Sequence, residues 1–431
     1  MVDPLSSPQD LQALNNLALR LYRELVQSAG KNSKGNLVFS PTILLISLQQ
    51  ACLASQGKTR EQLQKLGKIP DESLRAVLHD LEVILQAGHV SRKDRQYDFF
   101  AATKILVSQG ISVSPRFAEE LKSLQAGNKD VVTPVQADLK ATESLINEFA
   151  KVATEERIQT FATEQALAMD KDSLLLLSLG HFRSDWEDKF VKRTSVNYEG
   201  RQMRATLQAL PGTMEDFHNL DGTAAKVIMV HLEGKIFLTR DEKLKVTIAE
   251  LPLSQYDNNF VIVLPDDAKK HGLKDFEDAF KEDTFEILRQ HWQMPLTHVY
   301  LPKFSLENHF SLNKPLQDLG VKDIFSPAKA DLSGISAATG LHVSDVLHAA
   351  SIDISCETSK GLPPYQPRAG ECSGALMPDT FATGFHVNRP FFFLVRPRHP
   401  EMWNVMGRVV HLDEEVDRTV WNHHKHEPTD E

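Results

Sequence analysis

The chain has 431 residues, of which 41% are hydrophobic and 25% charged, a composition that excludes collagen-like, fibrous and wholly disordered proteins. Lys and Arg number 48 and Asp and Glu 58, so the formal net charge is −10 and no overall positive field attracts a nucleic-acid backbone. No stretch approaches the roughly 18 consecutive apolar residues of a membrane-spanning helix. We therefore expect a soluble acidic protein without a nucleic-acid or membrane partner.

Signals for the cellular location are few. Residues 1–8 lack the basic and then apolar segments of a secretion signal. The three cysteines, Cys52, Cys356 and Cys372, are too few for a disulfide framework, and no Asn-x-Ser/Thr sequon is present. These features favour an intracellular protein; the alternative is a secreted protein whose signal has been removed.

The first elements along the chain are predicted to be helices. Leucines recur every three or four residues over residues 11–25, which is typical of an amphipathic helix. Ser40 followed by Pro41 predicts the start of a second helix, with Ser40 as its N-cap. That helix is apolar on nearly every side as far as Cys52, so we expect a core helix with Cys52 buried.

The next helix start is predicted from the capping-box spacing of Thr59 and Gln62. Strand patterns then alternate with a helical pattern over residues 145–153. The predicted strands are Phe99–Val107, Leu174–Phe182, Lys226–Leu232, Lys245–Leu251, Phe260–Leu264, Val299–Phe304, Leu341–Ile354, Phe391–Val395 and Val405–His411. The chain therefore mixes helices and strands, without a repeat period.

Residues 355–386 differ from the rest of the chain. This segment contains four Gly and four Pro residues and has no periodicity, although strand patterns flank it. A segment of this length and composition is typical of a functional loop or a disordered insertion.

Catalytic and nucleotide-binding motifs are not supported. Gly57-Lys58-Thr59 resembles the end of a phosphate-binding loop, but Cys52 stands where that loop needs a glycine. No Gly-x-Ser-x-Gly or His-Glu-x-x-His motif is present. No local motif therefore supports an enzyme, and we predict no metal or cofactor site.

Two clusters of charged or titratable residues have competing interpretations. Arg92, Lys93 and Arg95 could bind a polyanion such as a sulfated polysaccharide, but Asp94 interrupts them, and a charge run is usually a solvated surface. Three histidines over residues 423–426 could bind a metal, although their polar surroundings favour a solvated tail.

Short motifs occur in a fixed order from about residue 11 to about residue 412. They are Asn36–Pro41 with Gly57-Lys58-Thr59, Ala101–Val107, Ile146-Asn147 with Thr154 and Ile158, Leu174–Phe190 with Phe182, Trp186 and Phe190, Glu250-Leu251-Pro252, Val263-Leu264-Pro265, Leu301–Phe304, Leu319–Phe325, Ala330–Ile335, Asn388–Phe393 and Met406–Val409. Chance would not supply all of these motifs in this order, and together they resemble the serpin family. Where the family usually has an Asn-Ala pair, this chain has Leu179-Gly180.

The resemblance implies an α+β fold in which one serpin domain, residues 11–412, has three β-sheets, about eight or nine helices and an exposed reactive-centre loop within residues 355–386. Residues 1–10 are then an N-terminal extension and residues 413–431 a polar tail. The family acts on serine or cysteine proteases and is not enzymatic, and we expect a monomer. In inhibitory members the protease cleaves the loop, which inserts into the central sheet and traps the acyl-enzyme.

The alignment implied by the resemblance also places the loop's hinge. Its residues are Cys356, Glu357, Thr358, Ser359, Lys360, Pro363 and Pro364. Inhibitory members usually have glycine in place of Thr358 and small residues in place of Pro363–Pro364. Proline has no backbone N–H for a strand ladder, so we predict that insertion is impaired.

The scissile bond is only bracketed, because counting from the hinge and from Pro390 gives different positions. The candidate residues are Arg368, Cys372, Leu376, Met377, Pro378 and Asp379. Arg368 suits a trypsin-like protease, whereas Leu376 or Met377 suits a chymotrypsin-like or cathepsin-like one. We favour Leu376-Met377; the alternative is that these are ordinary loop residues.

Two cysteines share this loop. A Cys356–Cys372 disulfide would stabilise the fold by about 3 kcal/mol and block insertion, which makes a redox gate one hypothesis and two unpaired thiols the other. Two functions also remain open: a protease inhibitor, and a non-inhibitory serpin that binds, carries, chaperones or stores. We rank inhibition first.

Overall fold

The computed structural model describes residues 7–28, 34–68, 70, 73, 75–77, 79–81, 97–124, 131–136, 138–185, 191–198, 201–253, 258–267, 270–281, 284, 293–355, 383–397 and 402–414. Within these residues the strands form three sheets, and helices pack against them. The α+β architecture with three sheets that the resemblance implied is confirmed.

The helices begin and end as follows: α1 Pro8–Ser28, α2 Pro41–Ala54, α3 Gly57–Gly67, α4 Pro115–Leu124, α5 Leu139–Ala153, α6 Lys270–Ala279 and α7 Asn313–Asp318. Every residue of α2 is buried, so the predicted core helix is confirmed, and Cys52 is 3% exposed. The periodic leucines over residues 11–25 lie in α1, which confirms the first predicted helix.

Of two predicted helix starts, the one at Ser40-Pro41 is confirmed without its side-chain cap, and the one at Thr59 needs correction. Ser40 is the N-cap residue of α2, but its hydroxyl donates to the carbonyl oxygen of Asn404 at 2.6 Å instead of capping the helix. The capping box of Thr59 and Gln62 is wrong, because α3 already begins at Gly57. The Thr59 hydroxyl instead accepts from the backbone N–H of Asp331 at 3.0 Å, so a tertiary contact replaces the local cap.

The strands are β1 Leu37–Phe39, β2 Tyr97–Ser108, β3 Val132–Val135, β4 Ser173–Asp185, β5 Val191–Tyr198, β6 Arg201–His218, β7 Ala224–Lys235, β8 Phe237–Asp241, β9 Val246–Pro252, β10 Asn258–Pro265, β11 Leu296–Pro302, β12 Phe304–Ser311, β13 His342–Ser355, β14 Thr383–His386, β15 Phe391–Pro397 and β16 Val405–Val409. Sheet I has the order β1-β16-β15-β10-β9-β8, sheet II β14-β11-β7-β6-β5, and sheet III β12-β13-β4-β2-β3.

One predicted strand is in fact parts of two. The segment Val299–Phe304 was expected to be continuous, but β11 ends at Pro302 in sheet II and β12 begins at Phe304 in sheet III. The backbone N–H of Lys303, between them, donates to the carbonyl of Ile228 at 2.8 Å. The chain therefore turns from one sheet to the other at Lys303.

Sheet I forms an aromatic core. The ring of Phe392 lies 5.5 Å from Tyr22 of α1, 5.6 Å from Phe276 and 5.3 Å from Phe280, measured between centroids. Buried aromatic side chains contribute large apolar areas to a core. This sheet therefore supports α1 and α6, and all its strand pairs are antiparallel.

Sheet III is covered on both faces. On its inner face Gly180 of β4 lies against α2, where an added Cβ would come within 2.4 Å of Ile43 Cδ1 and would require the Ile43 side chain to move. On its outer face a second apolar cluster joins β4 and β13 to α5 through Leu177, Leu179 and Ile146. The central strands of this sheet are therefore buried on both sides.

Candidate functional site

The loop that carries the predicted bait connects two sheets. Its first end follows Ser355, the last residue of β13 in sheet III, and its second end precedes Thr383, the first residue of β14 in sheet II. The 27-residue segment 356–382 lies outside the described residues. The hinge residues Cys356–Pro364, the scissile candidates Arg368–Asp379 and the polyanion candidates Arg92, Lys93 and Arg95 therefore stay predictions.

The two central strands of sheet III are parallel neighbours. β13 pairs directly with β4 over thirteen register positions, from His342 opposite Ser173 to Ser355 opposite Asp185. We call this contact the β4–β13 seam. A chain that left Ser355 and turned back between the two strands would run antiparallel to both, so the geometry allows an added strand there.

A histidine links the two strands on the inner face of the seam. His348 of β13 is fully buried, and its Nε2 accepts from the backbone N–H of Ser40 at 3.0 Å. Its Nδ1 lies 2.9 Å from the hydroxyl of Ser178 on β4. Because Nε2 accepts, the proton of the neutral ring is on Nδ1, which donates to Ser178. The link thus joins β4, β13 and the start of α2.

Burial keeps this histidine neutral. Loss of solvation, together with a smaller effect of the charge of His309, lowers the pKa of His348 to about 3. The Ser178 hydroxyl donates onward to the carbonyl of Leu347 at 3.3 Å. The inner link is therefore a chain of satisfied hydrogen bonds that requires an uncharged imidazole.

A second histidine links the same strands on the outer face. His181 of β4 is 4% exposed, and its Nδ1 lies 2.7 Å from the hydroxyl of Ser351 on β13. On its other side the ring stacks on Phe100 of β2, with centroids 6.1 Å apart. Burial, together with the charges of Arg157 and Arg183, lowers the pKa of His181 to about 4.

The base of the seam is held by α7 and β12. Asn313 donates through Nδ2 to the carbonyl of Ser344 at 2.7 Å, and its Oδ1 accepts from the backbone N–H of Val346 at 3.2 Å. The register of β13 against β4 shifts between Val343 and Asp345. Burial raises the pKa of Asp345, which accepts from the Ser311 hydroxyl at 2.7 Å.

The second end of the loop is attached to sheet II by an aromatic stack. His386 of β14 stacks on Tyr300 of β11 at 4.2 Å, and Tyr300 stacks on His231 of β7 at 4.3 Å. Nε2 of His231 lies 3.1 Å from Nδ1 of His298. Burial and the charge of His298 lower the pKa of His231 to about 4. The stack therefore joins three strands beside the end of the bait segment.

A separate cavity of about 280 Å³ lies between α1, α6 and sheet I. Its lining includes Tyr22, Val26 and Leu273. The Tyr22 hydroxyl donates to Glu277 Oε1 at 2.5 Å, and Arg408 pairs with Glu277 Oε2 at 3.1 Å. The polar groups of the cavity are thus engaged with one another.

Sequence reasoning did not find the linking residues of the seam. Leu179-Gly180 was read as replacing the family's usual Asn-Ala pair, whereas the hydrogen-bonding residue is Ser178, one position earlier. The available signal was a serine inside a run of leucines, and histidines inside two otherwise apolar strands. Polar residues in a buried strand need partners, which marks them for attention.

Among the described residues, no group of three or more His, Cys, Asp or Glu residues is arranged to hold a metal ion. None of the helices in this part of the chain is long and apolar enough to cross a membrane.

Comparisons with known proteins agree with this architecture. The family model "Serpin (serine protease inhibitor)" matches residues 12–200 and 201–412. Leukocyte elastase inhibitor A of Rattus norvegicus is 27% identical over 414 residues, covering 93% of this chain and 99% of the relative. The chain therefore belongs to the serpin family, which is named for serine protease inhibitors, and it is not an enzyme.

Solved structures show the same fold. Uncleaved ovalbumin superposes with a TM-score of 0.74 at 20% identity, covering 93% of this chain and 99% of that one. Thyroxine-binding globulin in complex with thyroxine superposes with a TM-score of 0.72 at 17% identity, covering 94% and 100%. Relatives named as inhibitors and structures of proteins named for other roles thus share this architecture.

Proposed function

We propose that this serpin is a protease inhibitor that offers the segment between β13 and β14 as bait and opens the β4–β13 seam to receive it after cleavage. The observation that carries the proposal is the seam itself: a parallel pair at the centre of a five-stranded sheet, continuous with one end of the bait segment. The inhibitor among its relatives supports the same activity.

The covalent step is supplied by the target protease. Its serine hydroxyl or cysteine thiol attacks the carbonyl carbon of the bait residue, and the peptide bond breaks. The new amine leaves with a proton, and the acyl group stays on the protease as an ester or thioester. Insertion of the attached strand would then carry the protease away from its productive geometry.

The energetic effect of the two prolines can be compared with the gain from insertion. A strand of about twelve residues adds a net of about one backbone hydrogen bond per residue, each worth about 0.5–1.5 kcal/mol. Neighbouring N–H groups point to opposite sides of a strand, so Pro363-Pro364 leaves one carbonyl unsatisfied on each side, at about 1–3 kcal/mol each. The two prolines therefore weaken insertion by about 2–6 kcal/mol in total.

The proposal is tested by incubating the protein with trypsin, chymotrypsin and a cathepsin of the cysteine class. We expect an SDS-stable complex with at least one of them, and mass spectrometry of the released peptide places the scissile bond between Arg368 and Thr380. The double variant Pro363→Ala/Pro364→Ala should yield more complex and less cleaved protein. Cleavage by every protease without any complex contradicts the proposal.

Specificity is tested separately by replacing the favoured bait residue. Leu376→Arg should redirect the protein from a chymotrypsin-like to a trypsin-like protease, because it replaces an apolar side chain with a cationic one. The matched variant Arg368→Leu should leave inhibition through Leu376-Met377 unchanged. If Arg368→Leu abolishes inhibition instead, the bait is Arg368.

A second candidate function is small-molecule carriage, which the cavity between α1 and α6 favours. At about 280 Å³ it is just below the volume range of typical ligand pockets. Thyroxine is the first probe, since a structural neighbour is named for it. Quenching of tryptophan fluorescence that is lost in Val26→Phe, which narrows the cavity without adding a tryptophan, would support carriage.

A further inference from the structure

The outer face of the β4–β13 seam contains a polar contact that the proposed loop insertion must break. His181 and Ser351 are directly opposite in the register, and their side chains lie 2.7 Å apart. Both are buried, at 4% and 6% exposure, beneath the side of the sheet that carries α5. This contact is separate from the inner link, because residues 178 and 181 are an odd number apart and point to opposite faces.

The two links are ordered along the seam. A strand entering after Ser355 meets the register pair His181–Ser351 before the pair Ser178–His348, which lies three positions further in. Between Ser355 and His181 the opposite charges Arg183 and Asp353 also share a register position. The outer link is therefore the first buried histidine contact on the path of an entering strand.

The environment of His181 favours a closed seam. Its ring is held between Phe100 of β2 and Ser351 of β13, so that it connects three strands. Its other ring nitrogen, Nε2, is buried without a hydrogen-bond partner. If Ser351 moves away, both ring nitrogens are left unsatisfied, which is more costly than leaving one.

We propose that the His181–Ser351 contact is a second fastening of the β4–β13 seam, and that it limits how readily the sheet opens from the end where the loop begins. His181 is a positioning residue: it acts on β13, not on the protease. The inference rests on the proposed function only in saying why the seam opens. The His181–Ser351 contact and its effect on opening are properties of the sheet.

Hydrogen exchange followed by mass spectrometry on the full chain measures the opening of the β4–β13 seam directly. In Ser351→Ala we expect exchange at residues 178–185 and 348–355 to be about tenfold faster, the equivalent of about 1.4 kcal/mol. Exchange in β9 and β10 of sheet I should be unchanged. Ser351→Thr, which keeps the hydroxyl, should restore slow exchange.

Two further variants separate the fastening from a general loss of packing. His181→Phe keeps the stack on Phe100 but removes the polar contact, so the double variant His181→Phe/Ser351→Ala should exchange no faster than Ser351→Ala alone. Ser305→Ala makes the same substitution at an exposed position of β12, on the edge of β13 opposite the seam, and should have no effect. Additive effects of the two seam substitutions would overturn the inference, as would acceleration spread over sheet I.

The outcome is independent of whether the protein inhibits a protease. Faster hydrogen exchange at the seam without any protease complex would support the role of the His181–Ser351 contact and contradict the proposed function. Unchanged hydrogen exchange in Ser351→Ala, together with complex formation, would support the proposed function and contradict the role of the His181–Ser351 contact.

Discussion

Sheet I and sheet III are both buried, but different interactions hold their central strands together. Sheet I is antiparallel throughout and is filled with stacked aromatic rings around Phe392 and an ion pair between Arg396 and Glu250. The centre of sheet III is a parallel pair in which small hydroxyls and two histidines supplement the backbone ladder. Aromatic contacts resist separation along sheet I, whereas the polar side-chain links of the seam can break one at a time. Sheet I is therefore suited to supporting the helices packed on it, and sheet III to opening between β4 and β13.

The largest predicted effect is on sheet I. Arg396 and Glu250 are each 2% exposed and lie 2.9 Å apart, so Arg396→Met leaves a buried carboxylate unpaired. We expect a loss of about 3–5 kcal/mol in the free energy of unfolding, measured by urea denaturation. Arg240→Met removes the corresponding partner of an exposed pair with Asp266 and should change little. Equal losses of unfolding free energy in Arg396→Met and Arg240→Met would contradict the claim that burial makes the Arg396–Glu250 pair the more important one.

Acidification should destabilise the protein, in part through sheet III. Folding holds the pKa of His181 at about 4, below its value of about 6.5 in the unfolded chain. Between these values the unfolded state binds more protons, so stability falls as the pH drops from about 6.5 to about 4. The shift corresponds to about 3 kcal/mol. Its charged neighbours, Arg157 and Arg183, act in the same direction.

This dependence is measured by urea unfolding at pH 7, 5.5 and 4.5. His181→Phe should show a shallower fall than the unmodified protein, because it removes one of the titrating groups. Identical slopes for the two proteins would mean that another group accounts for the acid sensitivity.

Loss of the inner link should have a smaller effect. Ser178→Ala leaves Nδ1 of buried His348 without its partner, so we expect seam opening to be favoured by about 1–3 kcal/mol. Hydrogen exchange at residues 342–355 measures it. Ser144→Ala, at an exposed position of α5, is the matched control and should exchange normally. Unchanged hydrogen exchange at the seam in Ser178→Ala would show that the outer link, His181–Ser351, is the main side-chain contact that holds the seam closed.

The smallest effect is expected at the other end of the loop. Tyr300→Leu removes the ring between His231 and His386, and such contacts are worth about 1 kcal/mol. We expect faster exchange of residues 383–386. Tyr300→Phe keeps the stacking and should behave like the unmodified protein. A change with Phe as large as with Leu would assign the effect to the hydroxyl instead.

The comparison also shows what could be predicted from the sequence. The core helix α2 and most strands follow from local apolar patterns, and the family motifs imply their arrangement. The seam links do not follow, because Ser178 and His348 are 170 residues apart and Ser40 and His348 are 308 apart. The prediction of one strand over Val299–Phe304 was wrong for a related reason. The strand-like pattern continues on both sides of Lys303, where the chain passes from one sheet to the other.

The most direct test of the central claim, that the seam opens to receive the loop, is thermal unfolding before and after a nonspecific protease cuts between Lys360 and Thr380. A dozen added ladder bonds should raise the midpoint by more than about 10 °C. The double variant Pro363→Ala/Pro364→Ala should show a larger rise. An unchanged midpoint in both proteins would contradict insertion and leave a non-inhibitory role or reversible blockade.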